Sequence, residues 1–209
     1  MSIAMVLLTV LAVLIFFGVL ERVLDRMYLT DRMALLLIGL MFAGTLMPNV
    51  NIGKVSINLG GAVIPLGVSV YLLTKADSTA EIARSLMGMV ITGAAVWGLS
   101  KFLPDEPESM WMEPNLLYGI AAGLIAWLLG RSRRGAFFCG VTGVLLADVV
   151  TAIINWSAGI DQRLVLGGAG IGDTVVLAGV IGVLASELLG EAVERVSRAA
   201  HRNRGGGNT

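Results

Sequence analysis

The chain has 209 residues, of which 56% are hydrophobic and 14% charged, and its mean hydropathy is +0.83. A water-soluble domain of this size needs far more charged surface, so the composition excludes one and points to a chain that lives in a bilayer. The formal net charge is zero, but the charges are segregated along the chain rather than mixed.

The first apolar run is Ile3–Leu20. No Lys or Arg precedes it and no small-x-small site follows, so it reads as a retained helix rather than a signal peptide. Glu21–Arg32 is amphipathic. The next runs, Met33–Met47 and Gly60–Leu73, are short and broken by glycine or proline, the pattern of helices that do not cross in one regular piece. Between them Asn49–Asn58 alternates strictly around Gly53-Lys54 and predicts a short β-hairpin. After a second amphipathic stretch, Ser78–Arg84, come Ser85–Leu103, Leu116–Gly130, Ala136–Trp156 and Ile171–Leu189. An acidic loop with Asp105, Glu106, Glu108 and Glu113 precedes the fifth run, with Trp111 as an interfacial anchor. Gln162–Leu166 is extended in character. Glu191–Arg204 should prolong the last helix, and residues 202–209, with three glycines, should form a disordered cytoplasmic tail.

The connections alternate in charge. One set holds Arg22, Arg26 and Arg32; Lys75 and Arg84; Arg131, Arg133 and Arg134; and Arg195, Arg198, Arg202 and Arg204. The other holds only Lys54, Lys101 and Arg163. Lys and Arg mark the cytoplasmic side, which predicts an extracytoplasmic N-terminus and a cytoplasmic C-terminus. The expected fold class is therefore all-α: a polytopic membrane helix bundle of about seven transmembrane helices with a short extracytoplasmic β-hairpin, forming a single transmembrane domain over residues 1–201. The junctions after the hairpin and after Gln162–Leu166 share Leu-Gly-Gly-Ala-x-Ile, consistent with a weak duplication of helices 1–3 as helices 5–7.

Three acidic residues lie within the apolar runs: Asp148, Asp173 and Glu187. No Lys, Arg or His lies deep enough in the runs to neutralise them. A charge at the centre of a membrane helix costs about 2.5–3.5 kcal/mol, so such residues usually face a cavity and serve a function. Asp148 falls roughly 12 Å below the outer end of its helix, and Asp173 begins the next helix after a glycine-rich approach, so the two carboxylates should meet. Glu187, near the cytoplasmic end, should simply reach the interface. Cys139 is the only cysteine and His201 the only histidine, which leaves no basis for a metal site; no cofactor is expected.

Gly170-Ile171-Gly172-Asp173 resembles the Gly-x-Gly-Asp signature of intramembrane aspartic proteases, the presenilin and signal peptide peptidase class. The resemblance implies that Asp173 and Asp148 are the catalytic pair. It also implies that Gly170, Gly172 and Gly168 give substrate backbone close access, and that Pro65, with Leu66, stands in for the Pro-Ala-Leu motif of that class. Asp148 follows Ala147 where the class usually has tyrosine. The stretch from Ala136 to Ala178 also resembles an uncharacterised family of prokaryotic polytopic membrane proteins, which implies a multi-pass protein of the cytoplasmic (inner) membrane.

Two carboxylates sharing one site cannot both ionise cheaply, so one keeps a proton while the other activates water. The expected activity is an intramembrane aspartic peptidase acting on transmembrane or membrane-proximal segments. Its partners are membrane lipid and a transmembrane protein or peptide, with no nucleic acid. The extended segments Val55–Asn58 and Gln162–Leu166 offer edges to an unwound substrate. Zinc, rhomboid-type and Ser-Lys proteases are disfavoured: there is no His-Glu-x-x-His, no buried histidine, and Lys54, Lys75 and Lys101 lie outside the apolar cores. Other readings compete, among them a membrane scaffold without catalysis, which would leave the buried acids unexplained. Asp173, followed by Thr174 and Val175, suits a helix N-cap, and the same buried acids suit a proton- or cation-coupled transporter or channel.

Overall fold

The computed structural model describes residues 3–102 and 113–188. In chain order it contains α1 (Ile3–Phe16), α2 (Glu21–Asp25), α3 (Asp31–Leu46), β1 (Val50–Ile52), β2 (Val55–Ile57), a π-helical turn (Leu59–Val63), α4 (Ile64–Thr74), α5 (Thr79–Leu99), α6 (Pro114–Gly130), α7 (Arg133–Ser157), β3 (Leu164–Leu166), a 3-10 turn (Gly170–Gly172) and α8 (Thr174–Leu188). The chain is mostly helical, and each of the seven apolar runs carries a helix. Two of these, α5 and α7, are long and apolar enough to cross a membrane, whereas α6 and α8 are shorter apolar helices. The expectations for the acidic residues Asp105, Glu106 and Glu108 and for the tail beyond Leu188 fall outside the described residues.

Local chemistry sets the helix starts. The hydroxyls of Thr30, Ser78 and Ser132 accept backbone N–H bonds from Met33, Glu81 and Gly135, capping α3, α5 and α7. The third apolar run is broken, as its composition predicts. The Asn58 side chain accepts from Gly61 N and starts the π-helical turn, and α4 follows with Pro65 in its first turn, where a missing N–H costs nothing. The second run is not broken. Gly39 and Gly44 lie inside the regular helix α3, and Gly44 instead gives the backbone of Leu59 and Gly60 room to pass against it.

The hairpin pairs Val50 with Ile57 and Ile52 with Val55 around Gly53 (φ +59). A third strand joins it. β3 runs parallel to β2, with Val55 opposite Leu164 and Ile57 opposite Leu166, giving the order β1-β2-β3. The two Leu-Gly-Gly-Ala segments that follow β2 and β3 therefore meet. A β-carbon on Gly61 would fall into the carbonyl oxygens of Gly167 and Gly170, so these backbones cross at a separation only glycine permits. Gly61→Ala should therefore cost about 1–3 kcal/mol through forced separation of the two segments. A purified variant melting like wild type in detergent would refute that contact.

α7 is the central helix, packed against α4, α5 and α6. Its Val141, Val144 and Ala147 join Val96, Ala122, Val175 and Ala178 in the main apolar core. A second core, with Ile15, Val23, Leu24, Leu72 and Val183, ties α1 and α2 to α4 and α8. Small residues line these contacts, as where Gly140 meets Ala178 and Gly143 meets Thr92, so dispersion contacts form at short range.

The end of the bundle opposite the sheet is held by charge. Arg134, buried at the start of α7, pairs with Asp77 and Glu81, donates to the Lys75 carbonyl, and lies over the Tyr28 ring at 5.2 Å. Ser132 donates to Glu81 at 2.6 Å. Glu187 pairs with Arg133. Contrary to the sequence expectation, this acid does have a neutralising cation, because the start of α7 lies beside the far end of α8.

Candidate active site

Asp148 sits in the second half of α7, with Thr151 three residues on and so on the same helix face. Asp173 stands at the mouth of α8, where its extended backbone (φ −71, ψ 151) ends the 3-10 turn. Its Oδ1 accepts from Val175 N at 3.0 Å, which is an N-cap, and its Oδ2 accepts from Ala169 N at 3.1 Å. A carboxylate offers about four acceptor positions, so two remain for a ligand or water. The neighbouring chain fixes this group from both sides. Ile171 N donates to Thr45 Oγ1 of α3 at 2.9 Å, and Thr174 Oγ1 bonds to Asn115 at the start of α6 at 3.3 Å.

Asp148 and Asp173 line one cavity of about 400 Å³ at the sheet end of the bundle. Asp148 has no hydrogen-bond partner among the described residues, in contrast to the doubly bonded Asp173. The same wall carries Thr151, Asn115, Gln162 and Arg163, with Trp97 and Tyr118 as its aromatic members. Trp97 Nε1 is buried without a partner among the described residues, leaving a donor at the cavity wall. The approach to β3 is braced by Trp156, whose Nε1 donates to the Gln162 carbonyl at 2.7 Å, and by the exposed Lys54–Asp161 ion pair at 2.7 Å.

The other predicted site residues lie elsewhere. Gly170 (φ +62) is packed against Thr45, a β-carbon on Gly168 would meet the Val165 side chain, and Gly172 is buried in the 3-10 turn. None of the three lines the cavity; they shape the approach to Asp173. Pro65 lines a separate apolar groove with Leu8, Leu11 and Met41. Of the two extended segments, Val55–Ile57 is the central strand and has both edges occupied, whereas β3 keeps one edge unpaired within the sheet. Sequence reasoning did not single out Asn115 or Thr151, and it read Gln162 and Arg163 as part of an extended edge rather than as polar lining of a cavity. The available signal was polar residues at the ends of apolar runs and one helical turn from a buried acid.

A family model described as a protein of unknown function, DUF1614, matches residues 22–185, so the chain belongs to that family. Neither a curated protein nor a solved structure matches the chain.

Proposed function

We propose that this DUF1614 chain is a multi-pass membrane protein that hydrolyses peptide bonds with Asp148 and Asp173, as the resemblance to the presenilin and signal peptide peptidase class implies. The observation that carries this reading is the presence of both carboxylates on one cavity wall. About seven spans and a sheet outside the cytoplasm follow from the apolar runs and the Lys and Arg distribution, while membrane residence is supported by large apolar side chains on the surface, among them Phe16, Leu36, Met87, Leu128 and Ile153. Such a surface is a liability in water and costs nothing in lipid.

In the proposed reaction the pair shares one proton. The ionised carboxylate takes a proton from water while the water oxygen bonds to the scissile carbonyl carbon. The protonated partner gives its proton to the carbonyl oxygen. Collapse of the resulting diol breaks the C–N bond, with a proton passing to the departing amine. An unwound substrate can lie along the open edge of β3, whose Leu164 and Val165 share the cavity wall with the aspartates.

The test is cleavage of a panel of transmembrane peptides by purified protein in liposomes without added metal. Product peptides with a new N-terminus support the reading. If folded wild type cleaves nothing on a broad panel, the reading fails. The transporter reading then takes its place if the same liposomes show ion-gradient-driven flux sensitive to Asp148→Asn.

A further inference from the structure

A second polar cavity, of about 520 Å³, opens at the arginine end of the bundle, with Arg26, Arg131, Arg133 and Arg134 around it. Arg134 lies fourteen positions before Asp148, about 21 Å along α7, and the two cavities share no lining residue. Arg133 and Arg134 occupy the first turn of α7, where the helix dipole favours anions and opposes cations. Carboxylates of the bundle answer both: Glu187 holds Arg133, while Asp77 and Glu81 hold Arg134. Arg26 and Arg131 line the same cavity but have no carboxylate partner among the described residues.

The backbone at this cavity is unusual too. Among the described residues, Tyr28 (φ 56) and Arg131 (φ 54) are the only non-glycine residues in the left-handed region, and both line it. A side chain at such a position carries a cost that glycine avoids, and conformations of this kind cluster at ligand sites. Arg131 stands directly after Gly130 at the end of α6, a position that ordinarily suits glycine. Arg131 lines the cavity beside Ser132, Arg133 and Arg134 at the start of α7.

We propose that this cavity binds a phosphodiester, with Arg26 and Arg131 as its charged ligands and the first turn of α7 as its backbone floor. Asp25 is the one lining carboxylate without a basic partner among the described residues. A diester has two non-bridging oxygens, one for each of the Arg26 and Arg131 guanidiniums that no carboxylate holds among the described residues. The chemistry is shared by a phospholipid headgroup and a soluble phosphate compound. The lipid source follows from helix length if α7 spans a bilayer as proposed above. Its 25 residues measure about 37 Å against a hydrocarbon core of about 30 Å, so its ends reach the headgroups.

The experiment titrates purified protein in maltoside detergent with short-chain phosphatidylglycerol, glycerophosphoglycerol and inorganic phosphate, reading bound phosphorus by 31P NMR. Wild type is compared with Arg26→Gln and Arg131→Gly, and melting without ligand checks their fold. Arg131→Gly suits the left-handed backbone, so it removes the guanidinium without new strain. Phosphatidylglycerol should bind, and each substitution should weaken it about tenfold, as expected for loss of one charge-assisted contact. Binding of glycerophosphoglycerol in preference to the lipid, with the same sensitivity, keeps the phosphodiester site and makes its ligand soluble. Failure of every probe to bind, preference for inorganic phosphate, or wild-type affinity in both folded variants overturns the proposal. Because this readout does not involve peptide cleavage, it stands or falls apart from the aspartate reading.

Discussion

Asp173→Asn should abolish peptide cleavage while leaving the protein folded, with a rate loss of about 10²–10⁴-fold, the range for removing an acid–base group. The fold survives because asparagine caps a helix about as well as aspartate does. Its amide oxygen can still accept the Val175 N–H now received by Asp173 Oδ1 at 3.0 Å, and only the bond from Ala169 N to Oδ2 is given up. Asp173→Ala should lose the same activity and, in addition, about 1 kcal/mol of stability with the cap. Asp148→Asn should be as inactive as Asp173→Asn without a stability penalty, since the Asp148 carboxyl has no hydrogen-bond partner to lose among the described residues. Cleavage rates and detergent melting curves on the three variants separate chemistry from structure. An Asp173→Asn protein that cleaves at the wild-type rate would reduce Asp173 to a cap alone.

Arg134→Met should be the most destabilising single change at the arginine end. Glu81 has only 8% of its side chain exposed and Arg134 9%, so removing the guanidinium strands a carboxylate in a buried site. Loss of one partner of a buried pair costs about 3–5 kcal/mol. Adding Glu81→Gln should recover part of the loss, because the neutral amide keeps a hydrogen-bonding group without the uncompensated charge. Thermal melting of the two singles and the double reports their coupling, and additive losses would rule out the pairing. The same network sets an acid limit. The Arg134 hydrogen bond, aided by its charge, holds the Asp77 carboxyl below the usual carboxylate value. A depressed folded value adds stability that is present above the unfolded pKa of about 3.9 and is lost as pH falls through the folded value. Wild type should therefore lose melting temperature in that acid range, and Asp77→Asn should show less of this loss. An identical acid profile in Asp77→Asn would refute the linkage.

The legible parts of the fold are those set by local pattern. Apolar runs place every helix from α3 onward, and strict alternation around Gly53-Lys54 gives the hairpin its turn. Ser78-x-x-Glu81 is a capping signature that the structure uses twice: Ser78 accepts from Glu81 N, and Glu81 in turn accepts from Asp77 N at 2.9 Å. The illegible parts are pairings between distant segments. Periodicity shows which face of a helix is apolar, not which neighbour covers it, so the Arg133–Glu187 pair and the seating of Gly170 on Thr45 left no local trace. At the candidate site, the two acids stood out because charge is rare inside apolar runs. The glycines drew attention through the motif, and of them Gly170 takes part in the backbone crossing with Gly61, while the polar lining of the cavity had no pattern of its own.

The parallel pairing of β2 with β3 also orders events in time. Val55 meets Leu164, more than a hundred residues downstream, so the sheet closes only after nearly every helix has been made. At about 5–20 residues per second, the hairpin waits several seconds or more on the ribosome with one edge unmatched. The wall that carries Gln162 through Val165 and Asp173 arrives with that closure. A growing chain thus has no complete carboxylate cavity while its own apolar segments are still emerging. If the chain is the peptidase proposed above, it becomes competent to cut only once α8 is in place, and the nascent chain is protected from itself.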